Sequence, residues 1–273
     1  MMFNPTFARI ATVPLALLLL AGCSAMTPGP MTAVQPVSTA PRAGNVYLVR
    51  GWIGIFSTGI DSLGQKVSGA GLHGQVFQED QWRALAATIA DKYRGVPNPE
   101  PLVLVGHSYG ADDIVRIARE LDGRSIPVDL LVTIDPTTPP RVPKNVRLCY
   151  NLYQSNLLDA MPFLRGIPLE ADAGFAGTLK NINIRTDRPD LLEGKVDHFN
   201  IEKKETIHRE TLRQILAICP PRQQWAAARP PRLAPMTTVA QARSVSAPTT
   251  PTTRPSAAAP VTAGGAKLLS SSK

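Results

Sequence analysis

The fold of this chain is decided by the stretch Leu102-Val-Leu-Val-Gly-His-Ser-Tyr-Gly110. Its four leading apolar residues predict a buried strand, and an amphipathic helix is predicted directly after its end. The last five residues match the pattern Gly-x-Ser-x-Gly, which is typical of a nucleophile elbow in this strand–turn–helix context. The two glycines permit the sharp turn that lifts a strained serine clear of the sheet. Ser108 is therefore the candidate nucleophile.

Predicted strands and helices alternate on both sides of this stretch. The other strands are predicted at Asn45–Arg50, near Gln75–Gln78, and at Val128–Ile134, Asn145–Gln154 and Leu179–Arg185. The helices are predicted at Gln81–Arg94, from the serine to Gly123, and at Glu202–Ile218, and none is predicted in the glycine-rich segment before Gly74. This alternation predicts an α/β fold: a doubly wound, mainly parallel sheet in a three-layer sandwich.

The two ends of the chain differ in composition from the middle. We predict a signal peptide at residues 1–22, a flexible tether at residues 23–44, the α/β domain at residues 45–219 and a disordered tail at residues 220–273. Pro, Ala, Thr and Ser dominate the tail, and such a composition cannot bury enough apolar surface to offset the entropy of ordering.

The formal charge of +8 belongs mostly to the two ends. Seven basic residues and no acidic residue follow Cys219, whereas residues 45–219 carry 20 basic against 21 acidic residues. A basic tail on a near-neutral domain favours contact with an anionic surface, such as lipid headgroups or envelope polymer, and does not indicate nucleic-acid binding. The alternative is a soluble spacer.

The apolar run at the start of the chain ends in Leu20-Ala-Gly-Cys23. This tetrapeptide resembles the lipobox of bacterial lipoproteins, which implies that the thiol of Cys23 is lipidated and that the preceding peptide is removed. Several acyl chains would anchor the protein to a membrane. Ser24 after the cysteine implies the outer membrane of a Gram-negative envelope, with the domain facing the periplasm. The alternative is an ordinary signal peptide with an incidental cysteine.

Export would expose the other two cysteines, Cys149 and Cys219, to an oxidising compartment. Cys149 falls in a predicted strand and Cys219 ends the last predicted helix. A disulfide could join them, and two unpaired buried thiols are the alternative.

His198 is the histidine whose position suits a base for Ser108. A serine hydroxyl is a poor nucleophile at neutral pH, so it needs a neighbouring base. His198 follows the last predicted strand and precedes the last predicted helix, where this topology returns the chain to the upper edge of the sheet. The other histidines precede the nucleophile, lie inside the elbow or fall within a helix: His73, His107 and His208.

The acid that orients the base is a choice between Asp135 and a residue of the next connection, Asp159 or Asp172. Asp135 ends the strand after the elbow helix, which places its carboxylate on the same sheet edge as the serine. Pro136 fixes the chain just beyond it. Asp135 is therefore favoured, whereas Asp197 cannot easily reach the ring of its own neighbour.

A tetrahedral intermediate also needs backbone N–H donors. The N–H of Tyr109, directly after the nucleophile, is one candidate. The loop after the first strand should supply the second, and we nominate Trp52.

Four segments together resemble the α/β-hydrolase superfamily, in particular its lipases and thioesterases. They are similar to the oxyanion strand, the elbow, the acid strand and the histidine loop: Val46–Gly51, Gly106–Gly110, Thr133–Pro136 and Asp197–Ile201. The resemblance covers about residues 45–219 and implies a triad in the order Ser108, Asp135, His198. The acid lies one strand earlier than in most members, as in some lipases and thioesterases, and Arg50 replaces the histidine of the common His-Gly signature.

The connection Ser155–Thr178 contains eight apolar residues, which suggests a flap over the site or a packed satellite core. A flap of this kind would suit a small hydrophobic acyl substrate. The sequence has no metal-ligand cluster and no phosphate-binding loop, so no cofactor is predicted. The leading hypothesis is a membrane-anchored serine hydrolase of esters or thioesters. The alternatives are an acyltransferase with the same triad and a non-catalytic envelope interaction lipoprotein on a hydrolase scaffold.

Overall fold

One sheet of parallel strands lies at the centre of the structure, a computed structural model that describes residues 28–51, 58–155 and 166–228. Its six strands are β1 (Asn45–Val49), β2 (His73–Phe77), β3 (Leu102–His107), β4 (Leu130–Ile134), β5 (Leu148–Tyr153) and β6 (Thr178–Asn183). Their order is β2-β1-β3-β4-β5-β6, and every neighbouring pair is parallel. The predicted mainly parallel α/β fold is confirmed.

Helices cover both faces of this sheet. They are α1 (Thr58–Gly69), α2 (Trp82–Tyr93), α3 (Tyr109–Asp122), α4 (Glu205–Ile218) and α5 (Arg222–Ala227). Side chains of α2 and α3 pack into one apolar cluster, and those of α1 and α4 pack into another. The strands separate the clusters because successive side chains point to opposite faces, as Leu104 and Val105 do. Within the described ranges, no helix has the length and apolarity needed to cross a membrane.

Helix α1 was not predicted from the sequence. Its glycines, Gly59, Gly64 and Gly69, are poor helix formers and masked the apolar period of Ile60, Leu63 and Val67, which are fully buried. Tertiary packing explains one of these glycines. A Cβ at Gly59 would overlap the backbone carbonyl of Glu202, so the glycine allows α1 to approach the segment that follows His198.

The amino-terminal segment is part of the domain from residue 28 onward. The N–H of Gly29 donates to Val76 O at 2.6 Å, and Val34 is fully buried. The N–H and hydroxyl of Ser38 donate to the carboxylate of buried Glu100, at 3.1 and 3.0 Å. The prediction of a flexible tether is therefore wrong for residues 28–44. Residues 23–27, with the lipidation candidate Cys23, lie outside the described residues.

The domain also extends past its predicted end at residue 219. Helix α5 begins at Arg222, whose guanidinium donates to Glu100 Oε1 at 2.7 Å and to Ala40 O at 2.6 Å. The prediction of a disordered tail from residue 220 is therefore wrong for residues 220–228, because buried Glu100 gives this polar segment a specific partner. Residues 229–273 lie outside the described part of the chain.

The two cysteines are not bridged. Cys149 is a buried residue of the cluster beneath α2 and α3, whereas Cys219 belongs to the cluster beneath α1 and α4. The sheet lies between these clusters, and a disulfide requires the two Cα atoms to lie within about 7 Å. Burial raises the pKa of Cys219 to about 12 and that of Cys149 further still. The alternative of two unpaired buried thiols is the one found.

The connection between β5 and β6 contributes to the core. Its residues 156–165 lie outside the described residues, so the predicted flap is not described there. Leu169 is buried in the cluster beneath α2 and α3, and its backbone N–H and C=O pair with the side-chain amide of Asn181 at 2.8 and 2.9 Å.

Candidate active site

Three polar residues meet at the carboxyl edge of the sheet. Ser108 directly follows β3, and Asp135 directly follows β4, the neighbouring strand. His198 lies in the segment between β6 and α4. The carboxyl ends of parallel strands share one edge, so residues 27 to 90 positions apart along the chain come together here.

The backbone at Ser108 has the strained conformation that the elbow requires. Its φ of 56° and ψ of −126° are rare for a residue with a side chain. The N–H of Ser108 donates to Ile134 O at 3.0 Å, which fixes the turn to β4. A Cβ at Gly106 would overlap the backbone of Gly110, and a Cβ at Gly110 would overlap the carbonyls of Val49 and Arg50. Both glycines are therefore required by close backbone contacts.

The three side chains form one continuous hydrogen-bonded chain. Ser108 Oγ lies 2.9 Å from His198 Nε2, and His198 Nδ1 lies 2.9 Å from Asp135 Oδ2. All three residues are buried, and Asp135 is fully so. Burial raises the pKa of Asp135, while the bonds from His198 and Gln154 favour its ionised form. An ionised Asp135 accepts the Nδ1–H, which leaves Nε2 to accept the proton of the serine hydroxyl.

Asp135 is held by its backbone as well as by its neighbours. Its φ is 51°, which is again unusual for a residue other than glycine. Its N–H donates to Leu152 O at 2.8 Å, and its Oδ1 accepts the N–H of Gln154 at 2.8 Å. A Cβ at Gly166 would overlap Oδ1, so only glycine fits against this carboxylate. The acid is thereby fixed on the side facing β5.

Asp112 of α3 is a site residue that the sequence analysis missed. Its buried carboxylate accepts four hydrogen bonds from the loop after Asp135, two from Thr137 and two from Thr138, at 2.8–3.1 Å. The nucleophile helix therefore holds the acid loop directly. On the helical projection Asp112 lies between Arg116 and Arg119, outside the apolar stripe, so no local pattern distinguishes it from an exposed acid.

Arg185, just after β6, is a second supporting residue that no sequence pattern marked. Its guanidinium donates to the side-chain oxygen of Gln154, with the Nε bond at 2.9 Å, and to Val196 O at 2.8 Å. Gln154 contacts Asp135, and Val196 lies two residues before His198. Arg185 therefore ties the acid side of the site to the histidine segment.

The other three histidines have structural partners. His107 is buried with its Nε2 3.0 Å from the backbone carbonyl of His198, so it donates this N–H and holds the histidine segment. Burial lowers the pKa of His107 to about 3, which keeps it neutral 5.2 Å from the His198 ring. The ring of His73 bonds to Ala33 O, and that of His208 bonds to Lys66 and Glu202 O.

Of the alternative acids, the structure describes Asp172 and Asp197, and neither bonds to His198. Asp172 pairs with Arg119 at 2.8 Å, and Asp159 lies outside the described residues. Asp197 accepts the N–H of Phe199 at 3.0 Å and so closes a turn next to the histidine. Asp135 is the acid that the structure brings to the base.

Of the two candidate oxyanion donors, Tyr109 lies within the described residues. Tyr109 is the first residue of α3, so its N–H has no acceptor within the helix and lies at the helix N-terminus, directly after Ser108. Trp52 lies outside the described residues. The side chain of Arg50 is buried and donates to Asp61 of α1, with Nε 2.9 Å and Nη2 2.6 Å from Oδ1. This ion pair explains how arginine is accommodated at the end of β1.

This arrangement supplies a nucleophile, a base hydrogen-bonded to it and an acid that orients the base. These are the parts that acyl transfer to a serine requires. Comparison with protein-family models and with curated protein sequences finds no match for the chain.

Proposed function

We propose that this protein is a serine hydrolase of the α/β-hydrolase superfamily that cleaves carboxylic esters or thioesters through an acyl-enzyme. The observation that carries the proposal is the hydrogen-bonded chain from Ser108 through His198 to Asp135, with both distances at 2.9 Å. Ser108 and Asp135 directly follow the parallel strands β3 and β4, so these hydrogen-bonded side chains lie at the carboxyl edge of the sheet, where α/β proteins bind their ligands.

In the acylation step, Ser108 Oγ attacks the carbonyl carbon of the substrate while its proton passes to His198 Nε2. The Nδ1–H bond to Asp135 holds the ring in the tautomer that can accept this proton and stabilises the imidazolium. The intermediate collapses when the bond to the leaving oxygen or sulfur breaks, and Nε2–H gives its proton to that atom. The acyl group then remains on Ser108.

Deacylation repeats these transfers with water. His198 removes a proton from a water molecule as its oxygen attacks the acyl carbon, and the proton then returns to Ser108 Oγ when the ester bond breaks. The negative oxygen of both intermediates needs N–H donors, for which Tyr109 and Trp52 are the candidates.

The surroundings of the site favour this chemistry. His107 stays neutral at physiological pH because its pKa is about 3, so no second cation opposes the imidazolium of His198. The contacts of Asp112 and Arg185 hold the acid loop and the histidine segment without a direct bond to the reacting groups. Such fixed geometry lowers the cost of reorganisation in the transition state.

The cellular setting is a separate part of the proposal and depends on the sequence alone. The lipobox-like Leu20–Cys23 supports lipidation at Cys23 and a periplasm-facing position on a bacterial envelope membrane. The six basic residues after residue 228 support contact with an anionic envelope surface.

Labelling with a fluorophosphonate probe tests the catalytic part. We expect the probe to modify Ser108 of the wild-type protein, and Ser108→Ala to abolish both labelling and ester hydrolysis. Asp135→Asn should lower kcat about 100- to 10,000-fold, because an amide does not hold the ring in the same tautomer. Peptide mapping and a pH-stat assay with methyl butyrate measure these effects.

Ser125→Ala is the matched control. Ser125 also has a φ of 56° but lies in an exposed turn after α3, so its replacement should change neither labelling nor turnover. A folded wild-type protein that fails to react with the probe would indicate a non-catalytic envelope protein. Product analysis with added alcohol separates hydrolysis from transfer to that alcohol.

A further inference from the structure

Phe199 is an exposed aromatic residue beside the candidate active site. Among the described residues, Val37 and Phe199 are the large apolar side chains with the greatest exposure, 44% and 47%. Single exposed apolar residues are common on protein surfaces, so the exposure alone decides nothing. Its position next to His198 is what separates Phe199 from Val37.

The phenyl ring of Phe199 contacts the catalytic imidazole. The two ring centroids lie 5.7 Å apart at an interplanar angle of 80°, an edge-to-face contact. The ring of His107 lies 5.2 Å from the same imidazole but is 2% exposed. Of these two aromatic neighbours, Phe199 is the one whose surface a bound molecule could cover.

A rigid turn presents this ring. The carboxylate of Asp197 accepts the N–H of Phe199 at 3.0 Å, and the carbonyl of Asp197 accepts the N–H groups of Asn200 and Ile201 at 3.2 and 3.0 Å. Ile201 is fully buried and anchors the turn in the core. Because the backbone of this turn is already fixed, little conformational entropy of residues 197–201 is lost when a ligand packs on Phe199.

The chemistry of the base indicates which part of a substrate meets Phe199. His198 Nε2 delivers its proton to the leaving oxygen or sulfur, so the leaving group lies at the Nε2 edge of the imidazole. The carbonyl oxygen instead turns towards the oxyanion donors, for which the N–H of Tyr109 is a candidate. A side chain packed on the imidazole ring therefore borders the leaving group more closely than the acyl group.

We propose that Phe199 binds an apolar leaving group, so that the preferred substrates are esters or thioesters whose alcohol or thiol carries an aromatic or alkyl group. This inference rests on the proposed serine hydrolase function and adds to it the substrate class. An aromatic leaving group adds ring contact with Phe199, whereas a methyl group reaches little of it.

Two ester series test the assignment in a pH-stat assay, which needs no chromogenic leaving group. The first series holds the acyl group constant, as methyl, butyl and benzyl butyrate, and the second holds the alcohol constant, as methyl acetate, butyrate and hexanoate. For Phe199→Ala, we expect the ratio of kcat/KM for benzyl over methyl butyrate to fall about 10-fold. The hexanoate-to-acetate ratio should stay within about 2-fold of wild type, and Phe199→Leu should be intermediate in the first series.

Val37→Ala is the control because it removes the other strongly exposed apolar side chain and should change neither ratio. Thermal unfolding and fluorophosphonate labelling show whether each variant is folded and retains its nucleophile. The assignment to the leaving group is overturned if Phe199→Ala leaves the benzyl-to-methyl ratio of kcat/KM unchanged, or if it changes that ratio and the hexanoate-to-acetate ratio equally. Wild-type protein that is labelled but does not prefer benzyl over methyl butyrate also overturns it, whereas absence of labelling overturns the hydrolase proposal itself.

Discussion

At the scale of single residues, burial and charge conflict at Glu202, four residues after His198. Its side chain is fully buried, and its carboxylate oxygens make no hydrogen bond of good geometry among the described residues; weaker contacts with the N–H groups of Gly59 and Glu202 do not offset the burial. The nearest cation is its neighbour Lys203, with Nζ 3.7 Å from Oε1. Burial raises the pKa of Glu202 from 4.5 to about 7. The native fold therefore favours the protonated acid.

This shift predicts a pH-dependent effect of Glu202→Gln on stability. Between pH 4.5 and about 7 the native state binds more protons at Glu202 than the unfolded state does, so wild-type stability falls as pH rises through this range. Glutamine removes this dependence. We expect the variant and wild type to unfold alike at pH 5, and the variant to be more stable at pH 8, by up to about 3 kcal/mol.

Urea unfolding at the two pH values measures the effect. The exposed residue Glu120 on α3 provides the control, because Glu120→Gln should give the same difference from wild type at both pH values. An equal effect of Glu202→Gln at pH 5 and pH 8 would contradict the prediction.

At the scale of elements, the site depends on how closely α3 approaches the end of β1. Gly110 makes this approach possible, because any Cβ there would overlap the carbonyls of Val49 and Arg50. The same contact sets the distance between the start of α3 and the end of β1. The elbow glycine therefore positions two elements as well as permitting a turn.

We predict that Gly110→Ala lowers both stability and activity. The added methyl group must displace backbone atoms, a change that costs about 1–3 kcal/mol and moves the nucleophile helix away from β1. Gly123→Ala is a matched change at the end of the same helix, where a Cβ would meet only Glu120 O at 3.7 Å and φ is −59°. Thermal unfolding and kcat/KM should separate the two variants, and equal behaviour would argue against the close-approach explanation.

At the scale of the whole domain, Glu100 joins the two ends of the described chain. Its buried carboxylate accepts bonds from Ser38, from the N–H of Gly44 at 3.0 Å and from Arg222. Residues 62 positions before it and 122 positions after it therefore meet at one acid. The packing of the amino-terminal segment and of α5 depends on this contact.

Glu100→Gln should destabilise the domain by about 2–4 kcal/mol, because the change leaves the partly buried Arg222 without its charge partner. Limited proteolysis should then cut within residues 28–44 and after residue 220 before it cuts the sheet, since these segments lose their shared contact. Glu170→Gln breaks an exposed ion pair with Arg141 and should change stability by less than about 1 kcal/mol. If the two substitutions lower the stability by the same amount, the prediction that Glu100 holds the two ends of the domain is contradicted.

The sequence by itself determined the strand order along the chain, most helices and the residues that meet at the site. Local rules suffice for these features: apolar runs predict buried strands, and the elbow pattern with Asp135 after β4 and His198 before α4 predicts a shared sheet edge. The sequence did not predict α1, because its glycines lower helix propensity and packing against the segment at Glu202 explains only Gly59.

The tertiary structure alone decided how the ends pack, which thiols stay apart and which residues support the site. The contacts of Glu100 with Arg222, of Asp112 with Thr137 and of Arg185 with Gln154 join residues that lie 25 or more positions apart, and no local pattern specifies such partners. The pairing of Cys149 and Cys219 is a similar case. The sequence allowed either a disulfide or two free thiols, and the position of the sheet between their clusters decides for free thiols. Composition and periodicity act over a few residues, whereas these contacts exist only once the chain has folded.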